Sequence, residues 1–299
     1  LDWQCLLGSL EKLFMKLKVD PSSVEEMMKT IHDWYQKQPH LPKGQLGDQF
    51  IARLLIMKSF SIEMVKEKID NYYSARPRMP EYLCDRDPMG SRINECLKKG
   101  YWVVLPRRTP DYSRVTIFRM VSNENVSYID LIKVIIMIYD YRLRNDSVVG
   151  EEFILDCSNA TLQLAVQMTP VLVSKFIFYI LGCLGPKVKG IHIVNLPPFA
   201  EMILALTKKL IKPKLVKRMH FYKSFDEALK KFPRNIFPKD MGGTDDVTNP
   251  WEKTLCSPAW RNFFIEQDSV QTDESKRSIR KNFEDNFGLD GSFKKLIID

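Results

Sequence analysis

The residues of this chain that could do chemistry are few, and their spacing excludes most catalytic chemistry. The four histidines, His32, His40, His192 and His220, form no His-Glu-x-x-His pair, and no cysteine–histidine cluster has the spacing of a zinc site. No metal and no cofactor is therefore expected. The sequence also lacks the glycine-rich phosphate loops and the Gly-x-Ser-x-Gly nucleophile turn. His192 stands in the apolar run Ile191-His192-Ile193, where a histidine is either a hydrogen-bonded structural residue or a base. Asp156 ends an apolar segment, the place where α/β enzymes often carry a catalytic carboxylate. Neither has an evident nucleophile or partner base, so structural and capping roles are preferred and the chain reads as a non-enzyme. The six cysteines, at 5, 84, 96, 157, 183 and 256, contain no Cys-x-x-Cys and read as reduced thiols.

Charge and grease carry more information than these groups. Met202 to Leu206 is an unbroken apolar run, and Lys208 to Arg218 then holds six basic residues and no acid. A helix that is apolar around most of its circumference belongs inside, yet its continuation is strongly cationic. Two arrangements satisfy both facts. One is a helix that lids an apolar cavity and rests on an anionic membrane surface, where each Lys or Arg contributes roughly 1 kcal/mol. The other is a core helix followed by a solvated basic turn. The net charge of +8 is uneven, since residues 245–299 carry −3 and the first 244 carry +11. That basic body suits an anionic partner. No nucleic-acid module accompanies it, so a nucleic-acid partner is not expected.

The elements that must position these groups follow from periodicity. Residues 1–76 read as helices: one over Trp3 to Leu17, one begun by the Asp20 cap and Pro21, one from Asp48, and one capped by Ser61. Arg76-Pro77 and Met79-Pro80 mark a boundary. From Asn94 onward strands alternate with helices. The strands are Trp102–Leu105, Val115–Val121, Glu152–Asp156, Lys189–Asn195 and Met219–Tyr222. The helices are Ser127–Asn145, a long apolar one over Leu162–Leu181, Phe199–Ile211 and Phe225–Phe232. Such alternation predicts an α/β fold with a mainly parallel sheet covered on both faces. After Gly242-Gly243, Trp251–Ile265 reads as one helix, residues 266–282 as an exposed arm, and Phe287–Ile298 as an apolar end that docks on the body. No run approaches the ~20 apolar residues of a membrane span, and the first residues show no secretory signal, so a cytoplasmic protein is expected.

Four segments in order and spacing resemble the CRAL-TRIO family, in the branch of alpha-tocopherol transfer protein and cellular retinaldehyde-binding protein. Phe50-Ile-Ala-Arg-Leu-Leu-Ile-Met-Lys-Ser-Phe60 is similar to its F-L-L-R-F-L-R-A-R-x-F segment, and Lys187 to Pro197 to its K-V-R-G-I-H-x-I-N-x-P strand. Lys212 to His220 resembles its K-P-F-L…K-x-x-x-R-I-H element, and Asn235 to Gly243 its L-P-x-E-Y-G-G ending. Gly291-Ser-Phe-Lys-Lys-Leu296 is similar to invertebrate members. The chain departs from the family where D-L-E-G becomes Asp156-Cys-Ser-Asn159.

The resemblance implies a helical N-terminal domain (1–76), a connector (77–93), a lipid-binding domain (94–246) and a C-terminal helix and arm (247–299). It implies an apolar cavity between the sheet and a mobile gate helix. The implied walls are Ile132, Ile135 and Tyr139 from one helix and Leu162, Phe176, Tyr179, Ile180 and Leu184 from the next, with Leu155, Val188 and Ile191 on strands. Ile135 and Tyr139 replace small hydroxyl residues of the tocopherol protein. The implied gate carries Phe199, Met202, Ile203, Leu206 and Leu210. A phosphoinositide headgroup would meet Lys58, Lys187, Lys214 and Arg218, with Lys58 replacing an arginine and losing its bidentate fork. The function implied is a monomeric carrier of one hydrophobic ligand of tocopherol, retinoid or phospholipid size. It would be cytoplasmic and transiently on membranes, with gate opening assisted by phosphoinositide. The alternative is an adaptor that holds a phospholipid and recruits a protein through its arm.

Overall fold

The structure is a computed structural model, and it describes residues 14–278 apart from 16, 45, 123–125, 147 and 245–249. Of the first expected helix, Phe14, Met15 and Leu17 are helical; its start, residues 279–282 of the arm and the apolar end 287–298 lie outside the described residues.

The first third of the chain is helical, and two of its three longer helices carry a side-chain start signal. In α1 (Pro21–Gln36) the Asp20 side chain accepts from the Ser22 N–H at 3.2 Å, with Pro21 at the first helical position. α2 (Asp48–Met57) follows Gly47, and α3 (Ile62–Ser74) is capped by Ser61, which accepts from the Met64 N–H. Two short pieces, α4 (Pro80–Leu83) and α5 (Ser91–Lys99), lead into the sheet.

Strand β1 (Gly100–Val104) pairs antiparallel with β2 (Ser113–Met120). The rest is parallel: β2 with β3 (Gly150–Asp156), β3 with β4 (Val188–Val194) and β4 with β5 (Met219–Tyr222). The spatial order is the chain order, β1 to β5. The connections between parallel strands are helical: α6 (Tyr128–Asn145), then α7 (Leu162–Ala165) and α8 (Pro170–Phe178), then α9 (Glu201–Leu210) and α10 (Pro213–Val216). Sequential order with crossovers of one hand puts such helices on one face of a sheet. Helix α11 (Phe225–Leu229) and the turns that bury Ile236 and Phe237 cover the other face. The expected mainly parallel α/β sheet, covered on both faces, is the observed one.

Two expected helices break at proline. The segment 162–181 is interrupted at Thr169-Pro170, where the Thr169 hydroxyl caps a new helix by accepting from the Leu172 N–H. It then continues beyond α8 as a wider π turn, Tyr179–Leu184, that ends at Gly185 with φ +64°. The segment 251–265 divides into α12 (Trp251–Leu255) and α13 (Pro258–Gln267) at Ser257-Pro258. Proline has no N–H to give the preceding turn and its ring clashes with it, so apolar periodicity on both sides does not make one helix.

The register separates two faces of the sheet. Ile117, Ile154, His192 and His220 lie in one row; Phe118, Leu155, Ile193 and Phe221 lie in the next and face the opposite way. One apolar core runs without a break from α1, α2 and α3 through α6 to Phe153 and the π turn.

The arm departs from expectation. Residues 268–277 lie along the helical region and are attached to it, although about half of them keep exposed side chains. The Asp273 N–H donates to the His40 carbonyl at 2.9 Å, Val270 is buried, and Arg277 pairs with Asp70 through both terminal nitrogens, at 2.9 and 3.1 Å. Polar composition is misleading here because the attachment is itself polar: Glu274 also receives Arg78 and Arg277.

Candidate functional site

The face of the sheet that carries Phe153, Leu155 and Ile191 supports the helices that begin and end the candidate site. Ile132 and Tyr139 of α6, Tyr179 and Leu184 of the π turn, and Val188 of β4 are buried in the continuous core. Ile135, Leu155, Phe176, Ile180 and Ile191 are partly buried against it. Ten of the eleven expected wall residues therefore share one apolar cluster. Leu162 does not: it is 59% exposed on α7, because Pro170 redirects the chain and leaves α7 a separate surface turn.

The expected gate helix comprises a 3-10 turn, Pro198–Ala200, and α9. Leu210 is buried, Leu206 packs on the core, and Phe199 and Ile203 are half-buried. Met202 is 79% exposed. The helix is therefore two-sided, with one flank against α8 and the other in solvent. Around Met202 the surface stays apolar, since α7 packs against Pro198–Ala200 and exposes Leu162 and, just beyond its end, Val166. The basic run continues from the same helix: Lys208 lies over the Phe221 ring at 4.9 Å, and Lys209 and Lys214 are exposed.

The cations expected to meet a headgroup gather mainly around residues 185–188. Arg218 Nη1 donates to the Val188 carbonyl, and the Ile191 N–H donates to the Arg218 carbonyl at 2.9 Å. Lys187 opens this strand and is exposed. Lys58 is buried at the end of α2 and lies so close to Gly185 that a Cβ there would stand 2.9 Å from Cε and 3.0 Å from Nζ of the lysine. Lys214 is exposed on α10, ahead of Arg218 in the same bend.

His192 faces away from Ile191 and from the expected cavity. Its Nδ1 is 3.0 Å from the Tyr222 hydroxyl and its Nε2 is 3.1 Å from Glu152 Oε2, a fully bonded structural histidine. Asp156 accepts from the Ser158 N–H and from Asn195 Nδ2 and caps the strand exit.

A polar cluster that sequence reasoning missed lies where α2, α6 and the first residues of β3 meet. Arg114 grips Asp146 through two nitrogens, at 2.5 and 3.1 Å, and Arg142 Nη2 bridges Asp146 at 3.0 Å and Glu151 at 2.6 Å. Arg53 Nε donates to the Asp146 carbonyl at 2.6 Å. Burial pushes the Glu151 carboxyl up, Arg142 opposes, and it rests at about 7. For Asp146 burial also pushes upward, but Arg142 and Arg114 outweigh it and hold the carboxyl well below its usual range. The Tyr139 phenol is pushed well above its ordinary value by burial and then by Glu151, and is a neutral hydroxyl. The overlooked signal was charge inside apolar periodicity: Arg53 within Phe50–Met57, and Arg142 and Asp146 four apart. Among the described residues no group of His, Cys, Asp and Glu could hold a metal ion, and no helix is long and apolar enough to cross a membrane.

Comparison with known proteins fits this geometry. Residues 98–243 match the CRAL/TRIO domain, and residues 20–93 match a Pinta-like UBA domain. This is a CRAL/TRIO-domain protein with a UBA-like helical region ahead of the α/β domain. Over 243 residues it is 26% identical to the alpha-tocopherol transfer protein-like protein of Mus musculus, covering 77% of this chain and 68% of that one. It is 21% identical over 262 residues to clavesin-1 of Xenopus laevis, covering 85% and 79%. Among solved structures the crystal structure of Sfh5 is similar, with 14% identity, a TM-score of 0.47, and coverage of 87% of this chain and 96% of that one.

Proposed function

We propose that this protein is a non-enzymatic carrier of one small hydrophobic ligand of tocopherol, retinoid or phospholipid size, released at a phosphoinositide-bearing membrane surface. The observation that carries the reading is the two-sidedness of α9. Its inner flank closes on the apolar cluster of the sheet, while its outer flank exposes Met202 beside Leu162 and Val166 and continues into the basic run. An apolar cluster of this kind binds through roughly 25 cal/mol per Å² of surface removed from water. Membrane contact then acts on the same helix: apolar side chains enter the interface, and the cations add roughly 1 kcal/mol each near anionic lipid. Release follows if the open form of α9 has the higher affinity for the membrane. The relatives named for tocopherol transfer support this reading. The carrier reading is preferred to the adaptor alternative, since residues 268–277 of the arm are engaged by the chain's own helices.

Two measurements test it. Organic extraction of the purified protein, followed by mass spectrometry, is expected to yield one apolar compound at one equivalent. Lys187→Ala combined with Lys214→Ala, both exposed, is expected to weaken binding to phosphoinositide vesicles roughly tenfold at low salt. The difference should shrink at 0.15 M, where exposed charges are screened over about 8 Å. Unchanged vesicle binding at low salt would leave the basic run a solvated surface.

A further inference from the structure

The two edges of the sheet are finished differently. At β1 the chain covers its own edge: the buried Trp251 of α12 donates through Nε1 to the Trp102 carbonyl at 2.5 Å. At β5 it does not. That strand ends the sheet and pairs only with β4; His220 and Phe221 are exposed, and none of its four residues is buried. The Ile191 N–H donates to the Arg218 carbonyl and the Asn195 N–H to the Tyr222 carbonyl, at 2.9 and 3.2 Å. Residues 218, 220 and 222 therefore serve the ladder to β4, and by alternation Met219 and Phe221 turn their N–H and C=O groups outward. Among the described residues those outward groups have no hydrogen-bond partner. We propose that the β5 edge is a docking site for an extended acidic segment of a protein partner, which adds to the five-stranded sheet as a further strand. The inference goes beyond the carrier reading and does not depend on it.

An open row of donors and acceptors matches the main chain of any extended peptide, so charge must choose the partner. The stretch from Lys208 to Lys223 holds seven basic residues and no acid. Lys217 and Lys223 are exposed on either side of the strand in sequence, and Lys208 Nζ lies over the Phe221 ring at 4.9 Å. A second copy of this chain would bring the same cations to the same edge, and like charges across a strand pair oppose it. Lysines placed in this way guard an edge against self-association, yet they attract a strand that carries carboxylates. A lipid headgroup would meet the charges but has no row of main-chain groups to set against Met219 and Phe221. An acidic strand answers both features. Its alternate residues can be apolar, because Phe221 is 45% exposed and a cross-strand neighbour would shield the ring.

The test uses the purified full chain and a fluorescein-labelled octapeptide of alternating glutamate and valine, read by anisotropy at low salt. Two peptides serve as comparisons: one with lysine in place of glutamate, and one N-methylated throughout, which keeps the charges and removes every main-chain donor. The glutamate peptide is expected to bind roughly tenfold or more tightly than either. Phe221→Pro removes one outward donor without touching the ladder to β4, while Phe221→Val controls for loss of the ring. The proline variant should bind the peptide roughly fivefold more weakly than the valine variant. If Phe221→Pro misfolds, the N-methylated peptide on the wild-type chain still decides. Equal binding of the glutamate and N-methylated peptides overturns strand addition; if phosphoinositide vesicles then compete with both, the face is a lipid-binding surface instead. Absence of binding by the glutamate peptide at low salt overturns the inference outright.

Discussion

Asp140 lies where the helical region meets the α/β domain. It is fully buried, accepts from the Tyr72 hydroxyl at 2.6 Å and from Arg86 Nη1 at 2.8 Å, and has Arg144 Nη1 at 3.7 Å. Tyr72 belongs to the helical region and Asp140 to the α/β domain, so this carboxylate joins the two. Asp140→Ala would remove the ion pair of the fully buried Arg86. The expected loss is about 3–5 kcal/mol, read as a lower urea midpoint. Glu151 sets a second expectation at this scale. Its carboxyl is raised to about 7 in the folded chain, so its contribution to stability is complete below its unfolded value of 4.5 and is lost as pH rises through 7. Facing it are Arg142 and Tyr139 of α6 and, through Asp146, Arg114 of β2. Between pH 5 and 8 the wild-type chain should lose up to roughly 3 kcal/mol relative to Glu151→Gln, measured as urea midpoints at each pH. A constant difference between the two proteins across that range would show that Glu151 stays ionised.

Among the elements, the turn after the π segment is the most demanding. Gly185 holds φ +64°, and a side chain there would also press on Lys58 and Lys68. Lys68 Nζ and Asn71 Nδ2 in turn donate to the Leu181 and Gly182 carbonyls. Gly185→Ala is therefore expected to cost about 1 kcal/mol or more and to displace Lys58, weakening headgroup binding in the same vesicle assay. The outer flank of α9 gives the opposite kind of test. Met202→Glu should leave the thermal midpoint unchanged, because the side chain has no packing to lose, but should lower vesicle binding. Sequence periodicity made most elements legible, and their caps stand where Asp20, Ser61 and Ser127 placed them. It failed at Thr169-Pro170 and Ser257-Pro258, where apolar residues continue across a break that proline's missing N–H and its ring enforce. It also missed the Arg53–Glu151 cluster, because Arg53 and Arg114 are distant in sequence from Arg142, Asp146 and Glu151 and meet them only in the folded chain.

For the molecule as a whole, the C-terminal strap and the shared core make one unit of what the sequence divides. Gln267 accepts from the buried Arg76, whose guanidinium lies 4.4 Å from the Tyr72 ring, and Glu274 receives Arg78 and Arg277. Burial opposes ionisation of Glu274, but those hydrogen bonds prevail and hold it at about 2. Its stabilising effect is thus complete above pH 4.5 and lost as pH falls through 2. Limited proteolysis should spare residues 268–277 in the wild-type protein, while Arg277→Ala, which removes the pairs to Asp70 and Ser74, should open that stretch to cleavage. Early cleavage there in the wild-type chain would return the arm to the exposed role its composition suggests.

The Arg277–Asp70 pair also sets a schedule for synthesis. The two residues are 207 positions apart. At about 5–20 residues per second, a ribosome makes the arginine roughly 10–40 s after the aspartate. The helical region must therefore persist through that interval with Asp70, Arg76 and Arg78 still awaiting their C-terminal partners. Closing so distant a contact is entropically late in any folding sequence. Among the described residues the strap is accordingly the last to be made, and a nascent chain stalled before residue 267 would present that acceptor surface open on its helices.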